Sequence, residues 1–200
     1  MRVLVTGAGG FIGTQLVAAL AAQGAHGVTA VDNRAVAPGQ RLPGVDYICA
    51  DVRSPELAAL FRTVRPTVVV HLASIVTPGK DSNRQLEYEV DVLGSENVLV
   101  ACLAAGVDKI VVTSSGAAYG YHADNPQWID EDTPLRGNDA FGVEVLHYLR
   151  LTRDGLLLDE AQDPMLALRL PQCRHSDLLQ QVDEQRARRV HPVGRLRPHA

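Results

Sequence analysis

A glycine-rich loop near the start of the chain constrains the fold more than any other feature. Residues 3–13 read VLVTGAGGFIG, so a short β-branched run enters a loop with four glycines in seven positions. The stretch 12–25 then places apolar residues at helical spacing and ends near Gly24. A strand, a glycine loop and a helix in this order are typical of a turn that binds phosphate groups.

Apolar strand-like runs alternate with helix-like stretches over the first 115 residues. Strands are predicted at 2–7, 27–32, 45–51, 66–74 and 109–115, and helices at 12–25, 54–64 and 84–106. Ser54 and Pro55 are typical of a helix start. The alternation predicts an α/β protein with a doubly wound parallel sheet, that is, a Rossmann fold.

Three glycines and one acid define a predicted dinucleotide site. Gly7 allows a tight turn, Gly10 lets the backbone approach a pyrophosphate, and Gly13 lets the helix pack close to the strand. Asp32 ends the second strand, 19 residues after Gly13. Its carboxylate can accept hydrogen bonds from both ribose hydroxyls of NAD and would repel a 2′-phosphate. Arg34 could contact such a phosphate, so the sequence favours NAD over NADP and leaves both open.

The composition argues against several other classes of protein. The net charge of −4 gives no reason to expect nucleic acid as a partner. No apolar run reaches the ~20 residues that span a bilayer, and no signal peptide is recognisable, so we expect no membrane association. The three cysteines are far apart and have no metal-ligand spacing. We therefore expect no metal site and a cytoplasmic location.

The motif TGAGGFIG, with glycines at positions 7, 10 and 13, resembles the extended short-chain dehydrogenase/reductase family, the NAD-dependent epimerases and dehydratases. Three further segments resemble that family: ADV at 50–52, VVHLAS at 69–74, and the stretch 90–120. The resemblance covers about residues 1–141. It implies hydride transfer at a hydroxyl or keto carbon of a small substrate such as a nucleotide sugar.

The resemblance also implies particular site residues. Asp51 and Val52 correspond to a pair that contacts adenine, and Ser115 corresponds to the catalytic serine that positions the substrate oxygen. The remaining implied cofactor-binding residues are Phe11, Ile12, Asn33, Arg34, Leu72, Ala73, Ser74 and Thr113.

The chain departs from the family pattern where proton transfer is concerned. The family uses a Tyr-x-x-x-Lys pair, and no tyrosine of this sequence has a lysine four residues later. We therefore expect little or no turnover. Two alternatives stay open: a non-catalytic NAD-binding or regulatory module, and an enzyme that uses Tyr148 as its acid. A second departure is Asp91, where the family often has asparagine.

The end of the sequence loses the family pattern. We expect a dinucleotide-binding domain at 1–171, with a strand at 165–171, and a divergent, poorly ordered tail at 172–200. Residues 169–200 hold seven arginines against three acids. The family's substrate-binding lobe is missing, which suggests either a reading-frame slip or a true truncation. Whether the chain forms a homodimer through two long helices is left open, because Gly155 interrupts the second helix, at about 141–161.

Overall fold

The computed structural model describes residues 1–24, 27–75, 83–130, 132–134 and 136, together with a strand at 166–169. Three predictions lie outside these residues: the helix at 141–161, the role of Tyr148 and the basic tail at 172–200. Among the described residues, no helix is both long and apolar enough to cross a membrane.

Six strands form one sheet, in the order β3-β2-β1-β4-β5-β6. The strands are β1 (Arg2–Thr6), β2 (Gly27–Asp32), β3 (Val45–Cys49), β4 (Val68–His71), β5 (Lys109–Val112) and β6 (Leu166–Arg169). The first five are parallel. The chain moves outward from β1 to β3 and then returns to the other side of β1, so a crevice is expected where β1 meets β4. The predicted Rossmann fold is confirmed.

The sixth strand runs in the opposite direction. Leu166 opposes Val112 and Arg169 opposes Lys109, so β6 is antiparallel to β5. Strand β6 therefore begins next to the carboxyl end of β5, whereas a parallel strand would begin next to the amino end of β5. The prediction of a parallel sheet therefore holds for five strands and is wrong for the sixth.

The helices lie close to their predicted ranges. They are α1 (Phe11–Gln23), α2 (Leu57–Val64) and a long helix composed of α3 (Arg84–Tyr88), a π-helical turn (Glu89–Gly94) and α4 (Ser95–Ala105). Gly24 and Gly106 end α1 and α4 in the left-handed conformation. Helix α2 begins three residues after Ser54, which instead accepts a hydrogen bond from the Glu56 amide at 3.2 Å in the preceding turn.

Two apolar clusters cover the two faces of the sheet. Leu4 of β1 belongs to a cluster with Phe61 of α2 and Val98 of α4. Its neighbours Val3 and Val5 belong to the other cluster, with Val17 of α1. Because successive side chains of a strand point to opposite faces, this alternation places helices on both sides of the sheet.

A buried polar network joins the last residues of β1 and β4. The two ring nitrogens of His71 lie 2.6 Å from Thr6 Oγ1 and 2.8 Å from Ser95 Oγ. All three residues are buried. Burial lowers the pKa of His71 to about 4, so the ring is neutral at physiological pH. The network connects two strands to the first residue of α4.

This network predicts a pH-dependent stability. Since the pKa of His71 falls from 6.5 to about 4 on folding, the unfolded chain binds the proton first as the pH decreases. The free energy of unfolding should decline between about pH 6.5 and 4, on the order of 3 kcal/mol in all. Urea denaturation of His71→Gln should show a shallower decline over that range.

His122→Gln, which removes an exposed histidine, is the control for the loss of a histidine at another position. Equal slopes in wild type and His71→Gln would mean that His71 does not titrate on unfolding.

Candidate functional site

The glycine loop brings the backbone of three elements into direct contact. Gly7 has φ +66°, and a Cβ there would lie 2.6 Å from the backbone of Leu72 and Ala73, which follow β4. The Gly10 amide donates to Gly7 O at 3.0 Å and closes the turn. A Cβ on Gly13 would collide with Gly7 O. The tight turn and the close helix approach expected from the sequence are both present.

Helix α1 begins at this loop with an open N-terminus. Gly10 is its N-cap, and no described side chain caps the helix or places an acid in its first turn. Among the described residues other than its chain neighbours, a Cβ on Gly10 would come within 4 Å only of Gly7 O, at 3.2 Å. Phe11 and Ile12 are exposed. The amide groups and the positive end of the helix dipole therefore favour an anion here.

Asp32 is held against this loop by the backbone. Its Oδ2 accepts a hydrogen bond from the Gly9 amide at 2.9 Å, and its Oδ1 accepts one from the Arg34 amide at 3.0 Å. A Cβ on Gly9 would lie 3.0 Å from Oδ2. Gly9 was not among the residues expected from the sequence, because its role depends on a contact 23 positions along the chain.

The Arg34 side chain lies across the outside of this contact. Its Nε is 3.4 Å from Asp32 Oδ1, and its Nη2 is 3.3 Å from Gly9 O. The side chain is 73% exposed whereas that of Asp32 is 9% exposed. The acid is therefore fixed in the protein surface, while the arginine is free to move into solvent. Asn33 is also exposed.

A second group of charges follows β3. Arg53 donates to both carboxylate oxygens of Asp51, with Nη2 2.7 Å from Oδ2, and to Glu89 Oε2 at 3.1 Å. The hydrogen bonds from Arg53 hold the pKa of Asp51 below its usual value. Val52 is buried, and its Cγ2 lies only 2.7 Å from where a Cβ on Gly94 would be. The long helix therefore approaches Val52 closely only because residue 94 is glycine.

The segments that follow β4 and β5 also contain predicted site residues. Leu72 and Ala73 are half-buried, and Ser74 is exposed. Asp91, in the π-helical turn, accepts a hydrogen bond from the Ile75 amide at 2.9 Å. Burial raises the pKa of Asp91, whereas hydrogen bonds from Ile75 and Ser74 oppose that rise. Because residue 91 is aspartate where the family often has asparagine, a half-buried carboxylate lies next to the predicted cofactor-binding residues 72–74.

The exposed residues Thr113 and Ser115 follow β5. The predicted site residues therefore lie at or just beyond the carboxyl ends of the five parallel strands, where ligands bind in open α/β sheets. The described residues contain no cluster of three or more His, Cys, Asp or Glu side chains that could hold a metal ion.

Comparison with known proteins shows the family of this chain. The sequence model of the NAD dependent epimerase/dehydratase family matches residues 3–154. The chain belongs to this family. It is 35% identical over 156 residues to a UDP-glucose 4-epimerase of Azospirillum brasilense, covering 76% of this chain and 44% of that protein. A UDP-glucose 4-epimerase of Mycolicibacterium smegmatis is 34% identical, with 68% and 45% covered.

Solved structures of similar proteins contain NAD. The UDP-glucose 4-epimerase of Thermus thermophilus in complex with NAD has a TM-score of 0.63 and 36% identity, covering 77% of this chain and 51% of that one. MoeE5 in complex with UDP-glucuronic acid and NAD has a TM-score of 0.63 and 32% identity, with 75% and 48% covered. The chain spans about half the length of the epimerase/dehydratase relatives that it matches.

The close contacts of the loop predict a strong effect at Gly13. Gly13→Ala should lower the free energy of unfolding by about 1–3 kcal/mol, because the new methyl group would overlap Gly7 O and force the loop and helix apart. Urea denaturation measures the change. Gly39→Ala is the matched control: apart from its chain neighbours, no described residue has an atom within 4 Å of its Cβ position, so its effect should stay within about 0.5 kcal/mol. Equal effects of the two substitutions would contradict the close packing.

Proposed function

We propose that this chain binds NAD across the carboxyl edge of its sheet. The observation that carries the proposal is the buried carboxylate of Asp32, held by the Gly9 amide directly beside the open N-terminus of α1. In this proposal the pyrophosphate lies against the loop between Gly7 and Gly13. The hydroxyl groups of the adenosine ribose donate hydrogen bonds to the Asp32 carboxylate. The NAD complexes of similar proteins support NAD as the ligand.

Different residues at the carboxyl ends of the strands would contact the two halves of the dinucleotide. The adenine would lie beyond the ribose, on the side away from the pyrophosphate, where Asp51 and Val52 follow the neighbouring strand β3. The nicotinamide half would extend to the other side of β1. The residues proposed to line it follow β4 and β5 and are Leu72, Ala73, Ser74 and Thr113.

The charge of Asp32 favours NAD over NADP. A 2′-phosphate would have to approach a carboxylate that the backbone fixes in place. Arg34 offsets this repulsion only in part, because its guanidinium already contacts Asp32 and Gly9 O. The exposed arginine can move towards a 2′-phosphate, but the acid cannot move away from one.

The substrate class is proposed from the epimerase relatives, whose names specify UDP-glucose. Bound NAD would supply a hydride acceptor for a hydroxyl-bearing carbon of a nucleotide sugar or a related compound. Ser115, beyond β5, would orient the substrate oxygen through its hydroxyl group. The sequence lacks the Tyr-x-x-x-Lys pair, so no residue is assigned the proton transfer and low or absent turnover is proposed.

The same absence favours a second function, a non-catalytic NAD-binding or regulatory module. The basic tail at 172–200, with six arginines against three acids, would then form an interaction segment. A partner that binds the full chain and is lost when residues 172–200 are removed would support this reading, provided that NAD binding is unchanged.

Isothermal titration with NAD and NADP tests the cofactor proposal. We expect micromolar affinity for NAD and at least about tenfold weaker binding of NADP. Asp32→Asn keeps the side-chain shape and removes its charge. It should weaken NAD binding by about tenfold and bring the two affinities close together, because the acceptor is weaker and the repulsion is lost.

The exposed Asp46 of β3 provides the matched control, since Asp46→Asn removes the same charge elsewhere. Loss of NAD binding by both variants, or by neither, would contradict the assignment of the ribose to Asp32. No binding of NAD to the wild type would refute the proposed function.

A turnover assay separates the proposed low activity from the remaining alternative. With UDP-glucose or UDP-galactose and NAD, we expect no interconversion above the rate measured with Ser115→Ala. Interconversion that Tyr148→Phe abolishes and Tyr121→Phe preserves would instead identify Tyr148 as the acid.

A further inference from the structure

Asp91 is a half-buried carboxylate beside the segment that follows β4. It lies in the π-helical turn, and its Oδ1 accepts a hydrogen bond from the Ile75 amide at 2.9 Å. A second hydrogen bond comes from the side chain of Ser74. Ser74 is one of the residues proposed above to line the nicotinamide half of NAD. The fold therefore holds the Asp91 carboxylate at the nicotinamide side of the proposed site.

The charge of Asp91 has no positive partner among the described residues. The acids on the β3 side, Asp51 and Glu89, both form ion pairs with Arg53. The two groups that donate hydrogen bonds to Asp91, an amide and a hydroxyl, are neutral. Burial raises the pKa of Asp91, and the negative charge of Glu87 on the same helix adds to that rise. A cation near Asp91 would therefore be stabilised, since it would balance this charge.

The two redox forms of the cofactor differ in charge at one place. The nicotinamide ring of NAD is a pyridinium cation, whereas the ring of NADH is neutral. The adenosine, the pyrophosphate and both riboses are the same in the two forms. A fixed carboxylate in a half-buried position interacts with a cation more strongly than an exposed one does, because water and salt screen it less. Such a carboxylate at the nicotinamide side distinguishes the two forms.

We propose that Asp91 makes this site select the oxidised dinucleotide through the charge of its carboxylate. The inference rests on the proposed NAD site and adds to it a preference for one redox form. An asparagine at position 91 would keep an oxygen acceptor for the Ile75 amide but would lack the charge. A carboxylate that stabilises the oxidised ring also makes its reduction less favourable, which is consistent with the low turnover proposed above.

Isothermal titration of the full chain with NAD, NADH and ADP-ribose tests the inference. ADP-ribose has the adenosine and the pyrophosphate of NAD but no nicotinamide ring, so its affinity reports whether the rest of the site is intact. Asp91→Asn should weaken NAD binding by about fivefold, because the attraction to the pyridinium is lost. The affinities for NADH and ADP-ribose should stay within about twofold of the wild type.

Two further variants separate the charge of Asp91 from its place in the helix. Asp108→Asn removes the same charge from an exposed position just before β5, at the opposite edge of the sheet. It should leave all three affinities unchanged. Asp91→Glu retains the charge on a longer side chain and should keep most of the preference for NAD that Asp91→Asn loses. A loss of that preference in Asp91→Glu would contradict a role of the charge.

The possible failures are distinguishable. If Asp91→Asn weakens NAD and NADH equally, or weakens ADP-ribose as much as NAD, Asp91 is merely structural and the inference is wrong while the proposed function stands. If Asp91→Asn changes none of the three affinities, the inference is also wrong. If the wild type binds none of the three ligands, the proposed function fails and the inference fails with it.

Discussion

Close backbone approach at the carboxyl end of β1 is the constraint on which the rest of the site depends. Side chains at Gly7 or Gly13 would overlap the main chain of the loop or of the segment after β4. Their absence lets β1, β4 and α1 meet at a single point. Interiors packed at this density leave no room for a methyl group without a shift of the backbone. The wall of the crevice is therefore main chain, and the N-terminal end of α1 faces it.

The long helix fixes the segments that follow two other strands. Ser95 contacts His71 at the end of β4, and Asp91 holds the Ile75 amide one turn earlier. On the β3 side, Asn97 holds the backbone at Val52. The π-helical turn lies among these contacts. A wider turn changes the direction of successive side chains, and such turns are frequent at functional sites. The long helix thus contacts the segments at the ends of two strands.

The sequence allowed most of the fold and the position of the site to be predicted, because both depend on local patterns. Buried parallel strands are continuous apolar runs, and Gly24 and Gly106 mark helix ends by their left-handed conformation. The contacts of Gly9 and Arg53 were missed, since each depends on partners brought near by folding. The direction of β6 was also missed, because a strand's residues do not specify which neighbour it pairs with or in which sense.

Binding and turnover depend on different chemistry in this chain. Holding a dinucleotide requires amide groups, a helix dipole and fixed carboxylates, and residues 7–115 contain all of them at strand ends. Moving a hydride from a hydroxyl-bearing carbon also requires a group that takes the hydroxyl proton with a pKa near the working pH. The hydroxyl of Ser115 can orient an oxygen, but it holds its own proton too tightly to act as that group. Cofactor affinity can therefore persist where catalysis does not.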